Sequence, residues 1–193
     1  MDVVQCRRAL CAVLPLVLFA VVRVAVATTI VEKDLDALAA EADRVFVGTV
    51  ASVRSHWADP EQHHIETMVT FTNLDPLFGV DTSEIELRFG GGSVGDVTEM
   101  IAGVPTFTVG ERVVVFASNQ RAVSPIVGFN QGCMRIEGSG DAASVTLTTR
   151  ARLGTMRDGR AVLADAASGE VAMPLSEFLA DVRRRLATRG AIK

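Results

Sequence analysis

The sequence predicts a mainly β fold, a small antiparallel β-barrel with one helix before it and another after it. Three observations lead there. Runs of alternating β-formers recur between Arg44 and Thr149, turns rich in Gly, Pro, Asp and Asn separate them at short intervals, and no β-α-β alternation intervenes. A chain of 193 residues that is 49% hydrophobic is large enough to bury one substantial core.

The N-terminus has a different character. Arg7 and Arg8 precede an apolar run from Ala9 to Val22, and Ala25-Val26-Ala27 supplies a small-x-small site of the kind cut after export. At fourteen residues the run is shorter than the roughly 20 needed to span a bilayer, so a cleaved signal peptide (residues 1–27) is expected rather than a retained anchor. Residues 28–193 then form a single exported domain, periplasmic or secreted, with no stable membrane span.

Cleavage removes Arg7, Arg8, Arg23 and Asp2 from totals of 19 basic and 23 acidic residues, leaving 16 and 22, a net charge of −6. An acidic domain with no Tyr and one Trp is a poor partner for nucleic acid, since it repels phosphates and lacks a stacking platform. Cys6 and Cys11 leave with the export segment, so Cys133 stays alone and no internal disulfide can form.

Between Thr29 and Asp43, Leu35, Leu38, Ala39 and Ala42 follow helical spacing, and Thr29 with Glu32 has the spacing of a capping box. The first long strand begins at Arg44. Both of its alternating sets contain apolar residues, which predicts cover on both faces, and Gly48 predicts a bulge. A polar loop from Ser55 to His64 leads to a second strand, Ile65 to Asn73. Asp75-Pro76 and Gly79 mark the next connection, and Glu84 to Phe89 alternates cleanly between faces.

Gly90-Gly91-Gly92 ends that strand and reads as a flexible turn opening a loose segment to Pro105. Arg112 to Ala117 is a β-branched core strand, and short strands are expected at Ala122–Val127, Cys133–Glu137 and Ser144–Thr149. Arg150 to Gly169 is a connector with one hairpin around Asp158-Gly159. The helical period returns from Met173, with Pro174 in the first turn, an apolar stripe through Leu175, Phe178, Leu179, Val182 and Leu186, and Gly190 as terminator. Arg183, Arg184 and Arg185 lie off that stripe, as expected of a solvated helix face.

Chemistry-bearing patterns are few. Gly91-Gly92-Ser93-Val94-Gly95 fits the Gly-x-Ser-x-Gly elbow, but the elbow requires a following helix and a downstream histidine, whereas His56, His63 and His64 all lie upstream. No Gly-Lys-Ser/Thr phosphate loop and no His-Glu-x-x-His are present, so neither a cofactor nor a catalytic zinc is expected. His56, His63 and His64 with Asp59, Glu61 and Glu66 are the candidate metal ligands. Adjacent histidines on a strand point to opposite faces, so an exposed polar loop is the simpler reading. Cys133 could act as a nucleophile beside one of these histidines, although a buried thiol is the simpler reading.

Three stretches carry a family likeness: Ala42-Asp43-Arg44-Val45-Phe46-Val47-Gly48-Thr49-Val50, then Leu77-Phe78-Gly79, then Gly110-Glu111-Arg112-Val113-Val114-Val115-Phe116. Together they resemble the netrin-like module, which includes the tissue inhibitors of metalloproteinases. The resemblance implies an OB-like five-stranded barrel with flanking helices. The chain also looks like exported bacterial proteins that carry Pro105-Thr106-Phe107-x-x-Gly110-Glu111 and Gly128-x-x-Gln131-Gly132, some found alongside matrixin-type metalloproteases. Those inhibitors clasp zinc through an N-terminal cysteine, whereas the expected terminus here is Thr28, so their inhibitory residues have no counterpart.

The expected function is that of a non-enzymatic binding module engaging another protein, a metalloprotease among the implied partners, through the loops Ser55–His64 and Gly90–Pro105, with Trp57, Asp59, Ser93, Val94 and Phe107 as the contact candidates on or beside them. The alternatives are a metal-binding protein or enzyme built on His56, His63, His64 or Cys133, and a carrier with an apolar cavity.

Overall fold

The computed structural model describes residues 32–120, 123–147, 153–157, 160–163 and 172–191. The expected export segment (residues 1–27), Thr29 and the Asp158-Gly159 turn lie outside these residues. Helix α1 (Leu35–Glu41) is capped by Asp34, whose carboxylate accepts the Ala37 N–H at 2.8 Å. The N-cap is therefore Asp34, not Thr29. Leu35, Leu38 and Ala39 are its buried face.

The strands are β1 (Arg44–Trp57), β2 (Ile65–Phe78), β3 (Ile85–Gly90), β4 (Gly92–Val94), β5 (Val97–Glu99), β6 (Arg112–Ala117), β7 (Cys133–Glu137), β8 (Ser144–Leu147), β9 (Leu153–Arg157) and β10 (Arg160–Leu163), followed by helix α2 (Leu175–Ala191). Six of them form one antiparallel sheet in the order β3-β2-β1-β6-β7-β8, while β4-β5 and β9-β10 are separate two-stranded hairpins. No helix among the described residues is long and apolar enough to cross a membrane.

The closed barrel is not formed among the described residues. Each edge of the sheet is engaged by a neighbouring segment instead of by the other edge. At β8, Val145 N–H donates to Met173 O at 3.2 Å and Leu175 N–H to Ala143 O at 2.8 Å, so the chain entering α2 takes that edge. At β3, Gly90 N–H donates to Val123 O at 2.7 Å. The remaining outer positions of β3 carry Glu86 and Arg88, both exposed, and charge of this kind discourages pairing with another chain.

The long β1–β2 ribbon is bent rather than flat. Its register shifts between Val45 and Phe46, between Val47 and Thr49, and between Val50 and Ser52. The middle shift sets Gly48 opposite Asn73 and Leu74, with Asn73 at φ +51°. The bulge expected at Gly48 is thus present, with the extra residue on the partner strand. A Cβ on Gly48 would stand 3.0 Å from the Leu74 side chain. Beyond the bulge β2 continues through Asp75-Pro76, which is paired strand and not the connection the sequence suggests; Pro76 lies opposite Phe46.

Each face of the sheet has its own core. Val45, Val47, Val114, Phe116, Met134 and Val145 pack with α1 and α2. Phe46, Val50, Val69, Phe71, Leu87 and Phe89 face the other way, with Val113, Val115 and Cys133 in the same cluster. β3 and β6 share this second core although β2 and β1 stand between them in the sheet, and the bulges supply the coiling that brings them together.

Three further departures from expectation have local causes. Ala122–Val127 is not a strand: within its described part only Ile126 forms a bridge, to Ala117. Gly190 does not end α2, which continues to Ala191, and Pro174 stands before the helix, in the bridge to Ser144. The Arg183–Arg185 triplet is solvated at Arg183 and Arg184, as expected, and departs from expectation at Arg185, which is largely covered. Arg183 pairs with Asp75, and Arg184 and Arg185 with Asp181, while Arg185 also reaches Asp36 on α1.

Candidate functional site

The 90–105 stretch is a built feature. A two-residue turn at Gly95-Asp96 closes the β4–β5 hairpin, and Gly95 has φ +57°, the left-handed conformation such turns require. The hairpin lies on the β1–β2 ribbon, and the three glycines before it are what let it approach. A Cβ on Gly92 (φ +138°) would fall 2.2 Å from Thr67 Oγ1 and 2.4 Å from Ser55 Oγ. One on Gly91 (φ +83°) would fall 2.7 Å from Glu99 O, and one on Gly90 would fall 2.9 Å from Ile101 Cδ1. The run is therefore a steric necessity and not a flexible turn.

Polar contacts fasten the hairpin. Ser55 Oγ and Thr67 Oγ1 are 2.8 Å apart, and Thr67 Oγ1 donates to Gly91 O at 2.6 Å. Glu99 reaches back to the start of β2, accepting the Ile65 N–H on Oε2 at 2.6 Å, with His64 Nδ1 3.4 Å from Oε1. The Ile65 N–H, aided by His64, holds the Glu99 carboxyl below its ordinary titration range.

The opposite wall is the segment carrying Pro105-Thr106-Phe107-x-x-Gly110-Glu111. Glu111 accepts the Thr108 N–H at 2.9 Å and pairs with Arg135 Nε at 3.1 Å, and Arg135 Nη2 donates to Thr106 O at 2.8 Å. Gly110 N–H donates to Val50 O at 2.8 Å, which ties the turn to β1. So anchored, Phe107 lays its ring against Phe71 (centroids 5.5 Å apart, edge-on) and Phe89 (5.0 Å apart, tilted). Gly128-x-x-Gln131-Gly132 has a scaffold role elsewhere: Gln131 Oε1 accepts the Lys33 N–H at 2.7 Å, just before α1.

Between the hairpin and the Phe107 segment runs a groove of about 390 Å³. Phe89, Phe107, Val53, Val69, Ile101 and Val104 give it an apolar interior, and Ser55, Thr67, Ser93, Thr98 and Glu99 line it with polar groups. Val97, Met100, Val109 and Val123 are large apolar side chains left exposed, Met100 at 88%. Each lies on a segment that forms or borders the groove: Val97 on β5, Met100 in the lining, Val109 two residues past Phe107, and Val123 against Gly90. No family model, curated protein or solved structure matches this chain.

Of the sequence-predicted contact residues, the groove gathers Ser93 and Phe107. Val94 is at the hairpin turn and Trp57 ends β1 opposite Ile65; neither lines the groove. Asp59 is engaged within its own loop, accepting the N–H groups of His63 at 3.0 Å and His64 at 2.8 Å, and the His63 bond is the main cause of its lowered pKa. The histidines do not converge. His56 sits opposite Glu66 on the ribbon, His63 Nδ1 is 3.8 Å from Asp59, and His64 turns to Glu99. Among the described residues no three His, Cys, Asp or Glu side chains are grouped to hold a metal.

Ser93 Oγ lies 2.8 Å from Thr98 Oγ1 within the hairpin, so its hydroxyl meets another hydroxyl, and the strand context differs from a nucleophile elbow. Cys133 is buried in the second core, and desolvation pushes its thiol up to about 12. The sequence reading missed Glu99, Met100 and Ile101. The signal was there in the triple glycine, since consecutive glycines mark close backbone approach as well as freedom.

Proposed function

We propose that this chain is an exported, non-enzymatic binding module that engages another protein through the groove and its apolar rim. The observation that carries the reading is the exposure of Met100, Val97, Val109 and Val123 around a preformed apolar groove. Exposed apolar side chains gathered around a concave site mark a surface that another molecule covers. A catalytic reading needs an activated nucleophile or a convergent acid and base. Cys133 is buried with a raised pKa, and Ser93 bonds to a threonine.

The export signal at the N-terminus supports an extracytoplasmic setting. The resemblance to the netrin-like module supports an OB-like ancestry for the bulged, coiled sheet and makes a secreted metalloprotease the first partner to try. The test is capture from the producing organism's extracytoplasmic fraction on immobilised wild-type protein and on the variants Met100→Glu and Val97→Glu. Both positions are exposed, at 88% and 49%, so folding is unaffected. A protein held by the wild type and lost from both variants is the expected result. Equal retention on all three baits overturns the proposal.

A further inference from the structure

The donors and acceptors of the groove define the kind of group it takes. Thr67 spends its proton on Gly91 O, so in the 2.8 Å Ser55–Thr67 contact Ser55 is the donor. The protons of both hydroxyls are thereby committed inside the protein. Glu99 adds a carboxylate that the Ile65 N–H and His64 keep ionised, and each of its oxygens retains a lone pair. Among the described residues, no Lys or Arg lines the groove. The polar side chains thus offer mainly lone pairs and a negative charge, with one proton left on the Ser93–Thr98 pair and one on the exposed Thr106 hydroxyl. Beside them lies the apolar interior formed by Phe89, Phe107, Ile101 and Val104.

We propose that the groove receives a lysine or arginine side chain of the partner protein, its aliphatic stem against Phe107 and Ile101 and its cationic head on Glu99. This rests on the binding-module reading and adds the chemistry of the partner. A long basic side chain is the protein group whose two halves match such a lining, an apolar stem ending in donors only. The exposed rim at Met100, Val97 and Val123 selects a protein segment over a free amine, because residues flanking the basic one cover it. The occupant is therefore an exposed stretch in which Lys or Arg stands between apolar residues.

The experiment is selection of a random displayed heptapeptide library on the exported wild-type protein, on Glu99→Gln and on Met100→Glu. Glutamine keeps an oxygen to accept the Ile65 N–H and removes the charge, and thermal unfolding of each bait verifies its fold. Wild type is expected to enrich peptides with one Lys or Arg between apolar residues. The selected peptide, made synthetically, should bind Glu99→Gln about tenfold more weakly, the size of one charge-assisted hydrogen bond, and lose its salt dependence there. Enrichment of apolar peptides with no basic position, or equal affinity for Glu99→Gln, overturns the inference and leaves the binding-module reading standing. Failure of wild type to enrich anything beyond Met100→Glu overturns both.

Discussion

Replacing Gly92 by alanine tests whether the hairpin is held down by the absence of a side chain. The added Cβ would sit 2.2 Å from Thr67 Oγ1 and 2.4 Å from Ser55 Oγ, contacts that real Cβ atoms do not make, and its φ of +138° is strained for any L residue. Backbone strain of this kind costs about 1–3 kcal/mol, and overpacking adds about 1–3 kcal/mol. The two partly relieve each other if the hairpin lifts, so a loss of about 2–4 kcal/mol is expected. Lifting also breaks the Thr67 bond to Gly91 O and opens the groove. Gly95→Ala is the control: it has φ +57° but nothing within 4 Å of the new Cβ, so only the left-handed penalty of about 1 kcal/mol applies. Urea unfolding followed by tryptophan fluorescence gives both numbers, read from the midpoint at constant slope. A Gly92→Ala variant within 0.5 kcal/mol of wild type, or less affected than Gly95→Ala, would refute the steric argument.

Arg189 donates to Ala39 O at 2.7 Å and Ala42 O at 2.5 Å and lies 4.8 Å from the Phe78 ring centroid, so it caps α1 from α2. Arg189→Ala should cost about 1–3 kcal/mol in the same assay, with Arg189→Lys recovering part of it; no loss would show the cap to be idle. Cys133, buried with its thiol pushed up to about 12, should react with a thiol reagent only as fast as the protein opens, and prompt stoichiometric labelling of the folded state would contradict that burial. Asp43, Asp59 and Glu99 have lowered pKa values, chiefly because each accepts a backbone N–H, from Asn119, His63 and Ile65 respectively. A carboxylate depressed in the folded state stabilises above its unfolded pKa of about 4 and loses that contribution as the pH falls through its folded value. Stability should therefore decline on acidification below about pH 4, and Asp43→Asn should flatten the decline; an unchanged acid slope would remove Asp43 from the account.

The parts of the fold legible in the sequence were those set by strict periodicity. Arg112–Ala117 and Cys133–Glu137 appear with the bounds expected of them, and Glu84–Phe89 is displaced by one residue; the last alternates toward the second core alone, while Arg112–Ala117 is apolar from Val113 onward because each face of the sheet has its own core. What escaped depends on contacts distant in sequence. Pro76 reads as a breaker but is tolerated opposite Phe46 at a register shift, and Gly190 reads as a helix stop but lies within α2. The barrel was expected from strand alternation, turn spacing, the absence of β-α-β units and the netrin-like resemblance, and none of these says whether the edges meet. Asp59 was an attractive exposed acid, yet its oxygens are committed to the backbone of its own turn. The groove was half legible: Ser93 and Phe107 stood out, while Glu99 and Met100 acquire meaning only when the hairpin folds back over β1 and β2.

The two faces of the sheet are covered by different kinds of structure, and this separates stability from recognition. One face is sealed by α1 and α2, whose apolar stripes complete the first core and which are joined by the Arg185–Asp36 ion pair and by the Arg189 bonds to Ala39 O and Ala42 O. The other is covered by the Phe107 segment, the Val123–Ile126 stretch and the β4–β5 hairpin, which cap the second core without filling the space above it. Residues in the two layers share no side-chain partner at the groove, so their effects should add, as they do for separated sites. Arg189→Ala combined with Glu99→Gln should then lower unfolding free energy by the sum of the two single losses to within about 0.5 kcal/mol, while peptide binding follows Glu99 alone. A binding loss produced by Arg189→Ala in protein that is still folded would mean that the helices position the groove, and the division of labour between the faces would have to be abandoned.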